Sequence, residues 1–133
     1  MHSNYEHLIT PHLLDSRLKL HLLLQYSIHP GLALTATTMS DRLRENPWAI
    51  AEALDELAQS GLLARHGGDA AAIYRLGIRP EYRRATELLV DAFNDPLRRD
   101  FIYAQVNTAH RERQYHRWFS EPRAVGLASL VIA

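Results

Sequence analysis

The chain of 133 residues contains no cysteine. This absence excludes disulfide scaffolds, catalysis by a thiolate, zinc sites with thiolate ligands and thiol redox sensing. A metal site in this protein would have to use histidine and carboxylate ligands. The length and the 47% share of hydrophobic residues are enough for one domain around a single core.

Long apolar stretches are also missing. The longest, residues 124–133, has ten residues and includes Gly126 and Ser129, whereas a membrane-spanning helix needs about 20. The first thirty residues show no basic segment followed by an apolar stretch and a small-residue cleavage site. We therefore expect no membrane partner, no secretory signal and a cytoplasmic location.

The sequence has no excess of either charge, with 15 basic and 15 acidic residues. Residues 1–78 hold six basic and eight acidic groups, and residues 79–133 hold nine and seven. This difference between the two halves is too small to indicate a nucleic acid or any other class of partner. Lys19 is the single lysine among the basic residues.

Catalytic motifs are absent as well. No Gly-rich phosphate loop, nucleophile elbow or His-Glu-x-x-His sequence occurs. The sequence has eight histidines. His116 follows Glu112 by four residues, a spacing that places two metal ligands on one face of a helix, whereas His110 lies on a different face. We expect no enzyme activity, no metal and no cofactor, and we interpret His21, which lies among leucines, as a core histidine.

Helical segments are indicated by apolar spacing between capping residues. Asp15 is a candidate N-cap for a first helix of leucines that ends at residues 29–31. A short extended piece, 32–34, leads to Thr35, the predicted N-cap of a second helix that carries Met39 and Leu43.

A third helix is predicted to begin at Asn46, because Asn accepts free backbone N–H groups and Pro47 suits the first helical position. Its apolar stripe consists of Ile50, Leu54 and Leu57, and Gly61 ends it.

Two short runs, 62–66 and 72–76, flank Gly67, Gly68 and Asp69, which predicts a β-hairpin. A further helix then runs from Pro80 to Phe93, and a long one from Pro96 to about Phe119.

The order of these elements resembles the winged helix-turn-helix regulators of bacteria of the MarR, ArsR and PadR kind. The resemblance covers residues 15–78 and implies a mainly α fold with a small β-hairpin wing and additional C-terminal helices. Together with the flanking sequence, it leads us to expect one domain with a mobile segment 1–14, a winged-helix core 15–78, C-terminal helices 79–119 and an apolar tail 120–133. The residues that carry the resemblance are Leu34-Thr35, Met39, Leu43, Ile50, Leu54, Leu57, Gly61-Leu62-Leu63, Arg65, Gly67, Gly68, Tyr74, Arg75 and Leu76.

The resemblance implies a DNA-binding transcriptional regulator whose third helix enters the major groove and whose wing contacts phosphates. The third helix departs from this pattern, because Glu52, Asp55 and Glu56 are predicted to point outward and residues 46–60 contain no basic group. The candidate DNA-contacting residues are Thr37, Thr38, Arg42, Arg44, Asn46, Trp48, Glu52, Gln59, Arg65, His66 and Arg75.

The alternative is a winged-helix module that binds another protein instead of DNA, through the acidic third helix and Trp48. Trp48 itself has two interpretations: a residue of the core or of a hydrophobic staple, and an exposed anchor for a partner.

The long C-terminal helix is expected to pair two copies of the chain, because its apolar side chains exceed what a peripheral helix easily buries. The alternative is an ordinary core helix of a monomer. The predicted interface consists of Leu97, Phe101, Ile102, Val106, Ala109, Trp118 and Phe119, with the tail from Val125 to Ile132 packing across it.

Overall fold

A computed structural model describes residues 5–68 and 71–120, with side chains as far as Tyr115. A short 3-10 turn, Glu6–Leu8, precedes the helices. The helices are α1 (Arg17–Ile28), α2 (Ala36–Leu43), α3 (Pro47–Ser60), α4 (Pro80–Phe93) and α5 (Pro96–Ser120), and the strands are β1 (Ala33–Thr35), β2 (Leu63–His66) and β3 (Ile73–Leu76). This confirms a mainly helical chain with a small antiparallel sheet. Among the described residues, none of the helices is long and apolar enough to cross a membrane.

The helix boundaries follow local capping chemistry. The Thr35 side chain accepts a hydrogen bond from the Thr38 N–H, and that of Asn46 accepts from Trp48 and Ala49. Gly61 ends α3 at φ +92, a left-handed conformation that glycine adopts without steric strain. These three predictions are confirmed.

The predicted cap of α1 was wrong by one residue. Ser16 is the N-cap, and its hydroxyl accepts from the Lys19 N–H at 3.1 Å. Asp15 is instead buried, with 1% of its surface exposed, and its carboxylate binds cations from α1 and α5.

The sheet has the strand order β1-β3-β2, with both pairings antiparallel. Leu34 in β1 and Arg65 in β2 both lie opposite Tyr74 in the central strand β3. Because side chains alternate along a strand, these three share one face, while His66 and Arg75 belong to the opposite face. The extended piece predicted at 32–34 is therefore a third strand, β1, shifted by one residue.

The core lies between α1, α3 and the inner side of α4 and α5. Ile50, Leu54 and Leu57 are fully buried, as predicted for the inner stripe of α3. They pack in one apolar cluster with Tyr26 and most of the leucines of α1.

The segment before α1 is part of this core. Tyr5, Leu8 and Leu14 are almost completely buried, and the Leu14 N–H donates to the Leu8 carbonyl at 2.9 Å. The prediction of a mobile segment over 1–14 was therefore wrong for residues 5–14, because these apolar side chains cover the end of the core beside α4 and α5.

Helix α5 also differs from the prediction. Ile102, Val106 and Ala109 are buried against the chain's own core, so they are not free to form a dimer interface in this conformation. Leu97 and Phe101 remain exposed, at 81% and 58%. The side chains of Trp118 and Phe119 and the tail from 121 onward lie outside the described residues.

Candidate functional site

A groove of about 400 Å³ lies between the outer face of α3 and the β2–β3 hairpin. We call it the α3–hairpin groove. One wall is α3 with the start of α2, and the other is the hairpin. The lining residues are Ala36, Thr37, Pro47, Trp48, Ala51, Asp55, Arg65, Ala72 and Tyr74.

Trp48 stands at the mouth of this groove, in the first turn of α3. Its backbone N–H is held by the Asn46 side chain at 2.8 Å, which fixes the start of the helix. Its side chain is 84% exposed. This exposure excludes the core interpretation of Trp48 and leaves an aromatic surface without a covering contact from the described residues.

Asp55 joins the two walls of the groove. Its Oδ1 accepts from Arg65 at 2.8 Å and from the Tyr74 hydroxyl at 2.5 Å. The Arg65 guanidinium lies 5.8 Å from the centre of the Tyr74 ring. Burial, followed by the hydrogen bond to Asp55, raises the pKa of Tyr74 to about 12. Arg65 is therefore engaged within the protein, and its charge is balanced by Asp55.

Glu56, the next residue, faces the other way. The prediction that it points outward was wrong, because it belongs to a partly buried ion-pair cluster of Asp15, Lys19, Glu56 and Arg113. The Asp15 and Lys19 side chains are buried, whereas those of Glu56 and Arg113 are 26% and 33% exposed. Arg113 donates to both Glu56 oxygens, at 2.8 and 3.0 Å, and to Asp15 at 2.6 Å. Lys19 contacts Asp15 at 2.9 Å and also contacts Glu56. Two cations thus balance two carboxylates.

The ion-pair cluster shifts the pKa of two of its members, Glu56 and Arg113. Hydrogen bonds from Arg113 lower the pKa of Glu56 to about 2, against the opposing effect of burial and with the help of Lys19. The same bond to Glu56 raises the pKa of Arg113. Glu56 and Arg113 are therefore charged at neutral pH, and the cluster ties α3 to α1 and α5.

Three of the other predicted DNA-contacting residues use their side chains within the protein, and Thr37 lines the groove. The Asn46 side-chain oxygen caps α3, the Thr38 hydroxyl contacts Thr35, and the Arg42 Nε donates to Gln25. Six further predicted residues have exposed side chains that make no side-chain hydrogen bond in the described part of the chain: Thr37, Arg44, Glu52, Gln59, His66 and Arg75.

The sheet separates two of these exposed residues from the groove. His66 and Arg75 lie on the face opposite Tyr74. The groove therefore receives no cation from them, and Arg65, the basic residue that does line it, is paired with Asp55. Glu52 is an exposed carboxylate on α3, but it lines the cleft beside the ion-pair cluster and not this groove.

Histidine does not form a metal site in the described part of the chain, where no group of three or more potential ligands occurs. His21 is half-buried and shares a hydrogen bond with the Tyr103 hydroxyl at 2.7 Å, so its polar group has a partner, but the residue lies outside the fully buried core. Burial, aided by the Arg17 charge, lowers its pKa. His110 binds the Asp15 carbonyl oxygen. The His116 side chain lies outside the described residues.

The sequence analysis missed the ion-pair cluster, although one signal was available. Lys19 interrupts an otherwise leucine-rich buried stripe, and a lysine at such a position requires a buried carboxylate partner. One partner, Asp15, stands four residues before Lys19, a spacing that is visible in the sequence. Glu56 and Arg113 come from distant parts of the chain, so no local motif identifies them.

Comparison with family models, with curated proteins and with solved structures finds no match for this chain.

Proposed function

We propose that this chain is a winged helix-turn-helix module that binds a segment of another protein in the α3–hairpin groove. The order of helices and hairpin agrees with the resemblance described above. The proposal takes the alternative that the sequence analysis left open, for reasons of exposure and charge.

The observation that carries the proposal is the exposure of Trp48 at the mouth of the groove. Tryptophan is enriched among the residues that dominate protein–protein binding, because it buries a large area and loses little conformational entropy. Pro47, Ala51 and Ala72 extend this apolar surface into the groove. A partner side chain inserted there would be covered on two sides.

The charges on the same surface oppose contact with a nucleic acid. An α3 inserted in a major groove would bring Glu52 and Asp55 toward phosphates, and no cation on α3 would offset them. Arg65 would first have to leave Asp55. A partner segment with apolar and basic side chains meets no such obstacle.

Selection from a displayed peptide library tests this proposal. We expect the selected peptides to combine apolar with basic residues, and Trp48→Ala to weaken their binding by about thirtyfold, a loss typical of an interface anchor. Leu97→Ala is the matched control, since Leu97 is also highly exposed but lies on α5. Peptides that bind the Trp48 variant as tightly as the wild type would contradict the proposal.

A DNA-binding regulator is the second candidate, favoured by the exposed polar groups Thr37 and Arg44 around α2 and by His66 and Arg75 on the hairpin. These groups could contact phosphates while α3 stays outside the groove. This candidate predicts that Arg44→Ala and Arg75→Ala weaken binding to all DNA sequences alike. It also predicts that Glu52→Gln tightens binding, by about tenfold at most.

Homodimer formation remains part of the second candidate, on a smaller surface than the sequence predicted. Leu97 and Phe101 are exposed four residues apart on α5 and so lie on one face. If this face pairs two copies, Leu97→Ser with Phe101→Ser converts a dimer to a monomer in sedimentation. A monomeric wild type at micromolar concentration would reject this surface.

A further inference from the structure

A second, larger cleft lies away from the α3–hairpin groove, between the end of α1, the chain that leaves β3, and α4. Its volume is about 720 Å³, within the range of small-molecule sites. The β3 end contributes Leu76 and Ile78, and α4 contributes Val90. These residues give the cleft an apolar floor.

Three charged residues on α4 line the same cleft at successive helical turns: Arg83, Glu87 and Asp91. Their sum is one negative charge. Glu87 also contacts Arg84 at 3.2 Å, but both side chains of that pair are well exposed, so the contact neutralises Glu87 little. The charged wall of the cleft therefore favours a cation.

Two helix ends add to this preference. Ser27 belongs to the last turn of α1, and Asp91 to the last turn of α4, and neither turn contains a basic residue. The carbonyl groups at a helix C-terminus carry partial negative charge and lack partners within the helix. Arg99 of α5 already donates to the Phe93 carbonyl at the end of α4. The acidic Asp91 side chain in the same turn is unfavourable there, and a cation in the cleft would stabilise it.

The Ser27 hydroxyl provides an independent observation. Its Oγ is buried and has no hydrogen-bond partner in the described structure, although the residue lines the cleft. A buried hydroxyl without a partner is unfavourable. An ammonium group in the cleft can donate to the Ser27 Oγ and to the Asp91 carboxylate.

We propose that this cleft binds a small amphipathic amine, with its apolar body on Leu76, Ile78 and Val90 and its ammonium group toward Asp91 and Ser27. The proposal is independent of the function assigned to the α3–hairpin groove. It concerns a separate face of the molecule and stands if the protein binds DNA instead of a peptide.

The test is an NMR titration with phenethylamine, whose aromatic body and single ammonium group match the cleft. We expect saturable shifts at Gly77, Ile78 and Val90 with about millimolar affinity. Phenylacetate, with the same aromatic ring and the opposite charge, is expected to bind at least about tenfold more weakly.

Two variants sharpen the test. Asp91→Asn should weaken phenethylamine binding about tenfold, whereas Asp100→Asn, the same change at an exposed position of α5, should not. Thermal melts of both variants verify that each is folded. No saturable shift at millimolar amine, equal binding of phenylacetate, or unchanged affinity in Asp91→Asn would each overturn the proposal.

Discussion

Asp55 and Glu56 are adjacent carboxylates on α3, yet they occupy opposite environments. Asp55 lies on the outer side, where it pairs with Arg65 and both side chains remain more than a third exposed. Glu56 lies on the inner side, where Arg113 and Lys19 bind it within a cluster that includes the buried Asp15. The inner carboxylate is therefore held by charges from α1 and α5, and the outer one stays at the surface beside the exposed Trp48.

The difference follows from how much solvent each pair retains. A half-exposed ion pair is screened by water and contributes about 0–1 kcal/mol. In the ion-pair cluster, the buried Asp15 and Lys19 depend on their partners because water cannot replace them, whereas solvent reaches Glu56 and Arg113 in part. Substitutions on the two sides of α3 should therefore have effects of very different size.

The largest effect is expected for Lys19→Met. Lys19 is 4% exposed, and its loss leaves Asp15 and Glu56 with Arg113 as their shared cation. Breaking a buried pair on one side destabilises by about 3 kcal/mol. Urea unfolding of the variant measures the change, and Lys19→Arg, which keeps the charge, should retain part of the stability. A loss below about 0.5 kcal/mol would mean that the cluster is not structural.

Glu56→Gln should have the next largest effect, and it should depend on pH. Because the pKa of Glu56 falls from 4.5 to about 2 on folding, its contribution is complete above pH 4.5 and is lost as the pH falls toward about 2. Solvent around the partly exposed side chain reduces the effect to about 1–2 kcal/mol at neutral pH. Chemical denaturation across this pH range should show that the free energy of unfolding falls less with acid in the variant than in the wild type. Identical pH profiles of the two proteins would contradict the account.

Asp55→Asn tests the outer pair. The expected loss of stability is below about 1 kcal/mol, as for other half-exposed pairs. Because the Asp55 bond helps to raise the pKa of Tyr74, that pKa should move from about 12 toward 10, with burial keeping part of the shift. Ultraviolet titration, with Tyr74→Phe identifying the signal, measures this change. An unmoved Tyr74 titration would mean that the bond is not formed in solution.

The smallest effect on stability is expected for Trp48→Ala. An 84% exposed side chain contributes little to folding, so the free energy of unfolding should change by less than about 0.5 kcal/mol. The same substitution is expected to remove most of the peptide binding. A destabilisation above about 2 kcal/mol would show that Trp48 is packed in solution and would remove the basis of the proposed function.

The sequence predicts those parts of the fold that depend on neighbouring residues. The caps at Thr35 and Asn46, the turn at Gly61 and the inner stripe of α3 all rest on groups within a few positions of one another. The same reasoning chose Asp15 instead of Ser16 as the cap of α1. Neighbouring residues do not show that the Asp15 carboxylate binds Arg113, which lies far along the chain.

The candidate site was predictable only in part. Helical spacing identifies Trp48, Glu52 and Asp55 as outward residues, but it does not decide whether Trp48 is covered by another element. It also placed Glu56 outside, since the position that α5 takes beside α3 is a tertiary feature. For the same reason Ile102, Val106 and Ala109 were assigned to a second copy of the chain.

The most direct test of the proposed function is a titration of fluorescent random-sequence duplex DNA with the full chain at low salt. The account predicts no change in anisotropy at micromolar protein, because the outer side of α3 presents Trp48 and Glu52 and its neighbouring cation Arg65 is held by Asp55. Binding whose affinity falls linearly with the logarithm of salt concentration would contradict it and would establish contact with phosphates.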